Sequence, residues 1–129
     1  MQIHCFPYTY SDLQDDLTRI EKDPYTTHFF NRSTLCRTLA GNRTEFITIT
    51  SKDKDPHGPK ARAKKGVFLS ARVHPGESNS SWMMKGLLDF LCSNTIEAKA
   101  LRENFVFKIV PCLNPDGVVN GNYRCSLAG

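Results

Sequence analysis

No apolar run in this sequence approaches the ~20 residues that a membrane-crossing helix needs. Its first residues, MQIHCFPYTY, lack the basic start and apolar stretch of a secretory signal. No CxxC pair occurs. The five cysteines, Cys5, Cys36, Cys92, Cys112 and Cys125, are odd in number and widely spaced, which argues against a disulfide framework or a cysteine zinc cluster. Charge of one sign is also scarce. A formal net charge of +4 over 129 residues is far from the density of a nucleic-acid binder. There is no internal repeat. The expectation is a protein with no membrane and no nucleic-acid partner, in a reducing compartment, the cytosol.

What is present suits a packed domain. Hydrophobic residues make up 40%, with eight Phe and four Tyr, enough for the core of one modest domain. Cys92 and Cys112 lie inside apolar runs and read as small core residues.

The chain order reads as follows. Tyr10–Lys22 has Leu13, Leu17 and Ile20 on one helical face, Ser11 and Gln14 at capping-box spacing, and acidic residues in its first turns. Residues 34–40 and 44–50 read as a hairpin around Gly41-Asn42. Residues 51–65 hold two prolines, a glycine and mostly charge, and read as an exposed loop; Lys60, Arg62, Lys64 and Lys65 give it a basic character. Residues 67–73, VFLSARV, form an apolar strand, followed at once by HPGE. Residues 80–92 read as a helix capped by Asn79 or Ser80, with Trp82, Met83, Leu87, Leu88 and Leu91 apolar. Ile96–Asn104 reads as a short helix capped by Asn94 or Thr95. Residues 105–113, FVFKIVPCL, suit a strand buried on both faces, and Asn114-Pro115-Asp116-Gly117 is a turn signal. Strand, helix, helix, strand with long apolar strands predicts an α/β layered fold.

His74 and Glu77 carry the candidate chemistry. They sit between a strand end and a helix start, and a Pro-Gly turn lets two side chains three residues apart converge. Imidazole nitrogen and carboxylate oxygen both bind zinc at about 2 Å. By themselves the two residues have ordinary readings as well. One is a histidine bonded to a backbone carbonyl, and the other is an acidic residue favoured by a helix dipole. A catalytic zinc usually takes three protein ligands and a water.

Several motifs in order narrow the reading. ARVHPGES resembles the first zinc-binding motif of metallocarboxypeptidases. NPDG follows forty residues after His74, and GNYRCSLAG (residues 121–129) follows that. With FPYTYSDLQ (residues 6–14) and TLCRTLAGN (residues 34–42), these make the chain similar to the cytosolic carboxypeptidases, and ARVHPGESN with TLCRTLAGN leans toward their second and third types. The resemblance implies an α/β fold with a mixed sheet and helices on both faces. Residues 1–129 would be the N-terminal portion of a zinc carboxypeptidase catalytic domain. It implies one zinc ion on His74 and Glu77, with Arg124 as the catalytic and substrate-binding arginine that polarises the scissile carbonyl. It further implies that the NPDG segment, Asn114 to Gly117, is a structural turn that shapes the site.

The resemblance also implies parts that this sequence does not contain. No histidine follows His74; the others, His4, His28 and His57, lie upstream. The family's asparagine-arginine clamp for the substrate carboxylate and its downstream general-base glutamate are missing too. Both ends of the chain therefore look cut. The expected parent activity is removal of glutamates from C-termini or polyglutamyl side chains of proteins such as tubulin, in the cytosol and on microtubules. This chain by itself is expected to be inactive. The alternative is a non-catalytic short form that binds acidic protein tails through its basic loop.

Overall fold

The structure is a computed structural model that describes residues 6–52 and 57–129. Its elements run α1 (Tyr10–Lys22), β1 (Phe30–Arg37), β2 (Arg43–Ile49), α2 (Pro59–Ala63), β3 (Lys65–Ser70), α3 (Ser78–Leu91), α4 (Ile96–Asn104), β4 (Phe105–Val110) and α5 (Pro115–Asn120), with one 3-10 turn after α1. The four strands lie in the order β1-β2-β4-β3. β1 pairs antiparallel with β2, and β2 antiparallel with β4. β3 runs parallel to β4, the pairing that a helical crossover through α3 and α4 permits. The sheet is mixed and the architecture α/β, as expected.

Register decides where the core lies. Ile47 faces Ile109 and Ile49 faces Phe107, so all four point to one side. Val67 and Leu69 on β3 join them from positions beside Phe107 and Ile109. Leu13, Leu17 and Ile20 of α1 and Met84, Leu88 and Leu91 of α3 complete one apolar cluster with that side. On the other side Lys108 Nζ donates to Thr48 Oγ1 at 2.9 Å and lies 5.4 Å from the Phe46 ring, and Phe68 is 64% exposed. Cys92 and Cys112 are buried as expected; desolvation pushes their thiols up, to about 12 and about 11.

Several boundaries differ from the expectation, each for a local reason. α1 has its expected span, but Thr9 and Asp12 form the capping box, not Ser11 and Gln14, because Thr9 keeps extended backbone while Ser11 is already helical. β1 starts at Phe30, four residues early. It lies at the sheet's edge, largely exposed, so polarity does not mark it. The hairpin turn is as read: Gly41 has φ +82°, and Thr38 N–H donates to Asn42 O.

The charged stretch 51–65 is not all loop. Pro59 opens the short helix α2, its missing N–H costing nothing at a first helical position. Lys64 Nζ turns inward and donates to Ser51 O and Thr50 Oγ1. Residues 53–56 of that stretch, and His4 and Cys5, lie outside the described residues. Trp82 and Met83 are exposed, since the buried face of α3 is Ser81, Met84, Leu88 and Leu91. β4 stops at Val110 because Pro111 has no N–H for the ladder. NPDG is a helix start more than a turn: Asn114 Oδ1 caps Gly117 N–H, Pro115 sits at the first position, and Gly121 ends α5 at φ +77°.

Candidate metal centre

β3 ends at Ser70, three residues short of the apolar run. The chain still bonds to its neighbour: Ala71 N–H donates to Val110 O, and Leu113 N–H to Ala71 O. Arg72 then takes φ +53°, a left-handed conformation that costs an L-residue with a side chain about 1–2 kcal/mol. This bend swings the next residues off the sheet as a separate loop. His74 O accepts from Glu77 N–H at 3.1 Å, closing the loop into a tight turn, and α3 begins at Ser78. Glu77 occupies the cap position of α3 but makes no side-chain cap bond.

The loop brings its two candidate ligands together. His74 Nδ1 lies 3.2 Å from Glu77 Oε2. Arg124 comes from the polar segment after α5: its Nη2 is 3.0 Å from His74 Nε2 and its Nη1 3.6 Å from Glu77 Oε1. All three side chains are partly open to solvent, at 33%, 46% and 59% exposure for His74, Glu77 and Arg124. An incoming group can therefore reach them.

Two close approaches hold the His74–Glu77 loop against the segment that carries Arg124. Gly76 N–H donates to Tyr123 O at 2.7 Å, and a Cβ at Gly76 would lie 2.4 Å from the Tyr123 ring and 2.9 Å from its carbonyl oxygen. At Gly117 a Cβ would lie 2.4 Å from Pro75 Cγ and 2.8 Å from Cys125 O. Glycine is required at both places because the Tyr123 and Pro75 rings, with a backbone oxygen close behind each, stand where a methyl group would. Asn114 Nδ2 and Asn122 Nδ2 both donate to Cys125 O, and Asn122 N–H donates to Gly117 O. So α5 acts as a plate with the two loops on it.

α5 is tied in turn to the hairpin. Asp116, 6% exposed, accepts from Thr38 Oγ1, Asn42 Nδ2 and Ala40 N–H. Desolvation pushes its carboxyl pKa up, but those three donors outweigh it and hold it below the usual aspartate range. Neither Asp116 nor Arg72 stood out in the sequence. An aspartate in a turn signal and an arginine in an alternating strand both look ordinary. The one available sign was a charged residue, Arg72, inside the apolar run 67–73.

The donor chemistry suits zinc in kind but is short in number. One imidazole and one carboxylate face a common point, and both are normal zinc ligands. Among the described residues no group of three or more His, Cys, Asp or Glu side chains is arranged to hold a metal. His28 and His57 lie in other segments, the 3-10 turn and the stretch before α2, and join no such group. The loop thus presents two side chains of kinds that bind zinc, where a catalytic zinc usually takes three protein ligands.

Comparison with known proteins gives a consistent picture. Residues 22–127 match the sequence pattern of a family described as zinc carboxypeptidase. The chain is 57% identical over 126 residues to cytosolic carboxypeptidase 2 of Homo sapiens, covering 98% of this chain and 14% of that protein. It is 54% identical to cytosolic carboxypeptidase 3 of Bos taurus, covering 98% and 12%. Among solved structures, the metallo-carboxypeptidase from Burkholderia cenocepacia superposes with a TM-score of 0.79 at 31% identity, covering 95% of this chain and 31% of that one. The chain therefore spans about one seventh of the length of the human relative.

Proposed function

The chain belongs to the zinc carboxypeptidase family, and from that premise we propose that residues 1–129 are part of a catalytic domain that removes C-terminal residues from peptides or proteins. The observation that carries this reading is the meeting of His74, Glu77 and Arg124 within 3.6 Å of one another. His74 and Glu77 would hold the metal. A zinc ion bound there supplies a water of lowered pKa and a Lewis acid for the peptide carbonyl. Glu77 is then a ligand and not the general base. Arg124 presents a permanent positive charge beside that point, where negative charge grows on the carbonyl oxygen, and it orients the same carbonyl by hydrogen bonding.

The finer substrate reading is a glutamate-rich chain end or side chain, of the kind carried by tubulin, met in the cytosol or on microtubules. Its support is the name cytosolic carboxypeptidase borne by the relatives and the cationic character of α2 and its flanks, where Lys60, Arg62 and Lys65 are exposed. The same basic surface, with only two metal donors among the described residues, favours a second reading: this chain binds acidic tails without cleaving them.

Glutamate release from a polyglutamylated peptide separates the two. The 129-residue chain is expected to release little or none, and to bind zinc weakly, with binding abolished in His74→Ala. Chelator-sensitive turnover by the chain alone would overturn the expectation of inactivity. Zinc binding that persists in His74→Ala would remove the metal site. Peptide capture lost on Lys60→Glu with Arg62→Glu would favour the binding reading.

A further inference from the structure

We propose that Arg72 is the positioning residue that sets the distance between His74 and Glu77, by gripping the carbonyl of Pro75 in the turn between them. Arg72 Nε and Nη2 both donate to Pro75 O, at 3.0 and 2.8 Å. Its Nη1 donates to Tyr8 O at 3.1 Å and to Ser81 Oγ at 2.7 Å. The guanidinium thus ties three pieces of chain to one rigid fork: the loop, the segment before α1, and the buried face of α3. The residue is 6% exposed, so these bonds form out of water and resist competition.

The geometry follows from the strand end. Left-handed backbone at Arg72 turns its side chain back under the loop that the same bend creates. The result is a closed ring: the bend throws the loop off the sheet, and the side chain of the bending residue holds the loop's middle. His74 directly precedes Pro75, and Gly76 alone separates Pro75 from Glu77, so holding Pro75 O restrains the turn that spaces the two side chains. A lysine keeps the charge but offers no planar fork and cannot make the paired bond to one oxygen. Ser81→Ala removes a single acceptor and leaves the fork on Pro75.

The inference rests on the proposed function only where it calls His74 and Glu77 ligands. The test separates the two. In the metal-free 129-residue chain, amide hydrogen exchange is followed by NMR for Gly76 and Glu77, whose N–H groups close the loop, and for Leu17 and Ile109 in the core. In Arg72→Lys the loop amides are expected to exchange roughly tenfold faster with the core amides unchanged, the signature of local opening. Ser81→Ala should shift the loop amides in the same direction by a smaller factor, about threefold, and serves if Arg72→Lys does not fold. Equal acceleration of loop and core, or none at the loop, would overturn the proposal. A zinc titration adds the second readout: Arg72→Lys is expected to weaken binding about tenfold, as loss of an outer-shell support typically does. A wild-type chain that binds no zinc would count against the metal site and leave the exchange result to judge Arg72.

Discussion

The core and the site loops of this molecule are held by opposite means. Around Leu17, Ile47, Leu88 and Ile109 the chain is packed by apolar contact, and each of these residues is at most 2% exposed. Residues 71–77 and 114–125 add only Ala71 and Val118 to the packing around that core, besides the buried Pro75 and Pro115. They are fixed by hydrogen bonds to backbone oxygens, two glycine contacts and three buried polar side chains, Arg72, Asn114 and Asp116. Apolar packing is non-directional and tolerates small shifts, whereas these bonds specify distance and angle. A site that must aim three side chains at one point gains more from the second means than from the first.

The comparison can be broken at the core first, where the largest effect is expected. Leu17→Ala leaves a cavity between α1, the sheet and α3 and is expected to cost about 3 kcal/mol in urea unfolding. Its free-energy loss should be shared by every probe, loop and core alike. Loss confined to α1 would show that the cluster is not one cooperative unit.

Asp116→Asn sharpens the contrast at the polar side. Asparagine presents an N–H₂ where the carboxylate accepts, so donors from Thr38, Ala40 and Asn42 compete for one oxygen. The expected loss is about 2 kcal/mol at pH 7. Because the folded-state pKa of Asp116 is depressed, its contribution is complete above the ordinary aspartate pKa and fades as pH falls through the lower folded value. The difference between wild type and variant should therefore shrink on acidification from pH 7 toward pH 3. A difference that stays constant with pH would mean that the carboxylate charge is not what the hairpin holds.

The smallest effect is expected at the exposed start of α1. Thr9→Ala removes the side-chain half of the α1 capping box and should cost about 1 kcal/mol, read as a shift in thermal midpoint with metal binding unchanged. A change in metal binding would show that α1's first turn reaches the site, which Tyr8 O on Arg72 makes a fair check.

Legibility in the sequence follows the same division. α1 and α4 have the spans expected of them, Tyr10–Lys22 and Ile96–Asn104, although the cap of α1 is Thr9 and not Ser11. Apolar strands were found, but their ends were not, since Arg72's bend and Pro111's missing N–H stop the ladder inside an apolar run. β1 begins four residues before its sequence signal because an exposed edge strand has no apolar alternation to read. His74, Glu77 and Arg124 were visible as motif residues, and the structure brings those three together. Arg72, Asp116 and the Gly76–Tyr123 contact were not visible. Their significance lies in a backbone angle, a bond across 74 to 78 residues of chain and a van der Waals contact, none of which composition or spacing records.

The central claim is that His74, Glu77 and Arg124 share one point in space. Titration of the chain with zinc, followed by NMR of the His74 ring, the Glu77 carboxylate and the Arg124 guanidinium, tests it most directly. All three signals are expected to move along one binding curve while those of His28 and His57 stay still. Movement at His28 or His57 with Arg124 untouched would contradict the account.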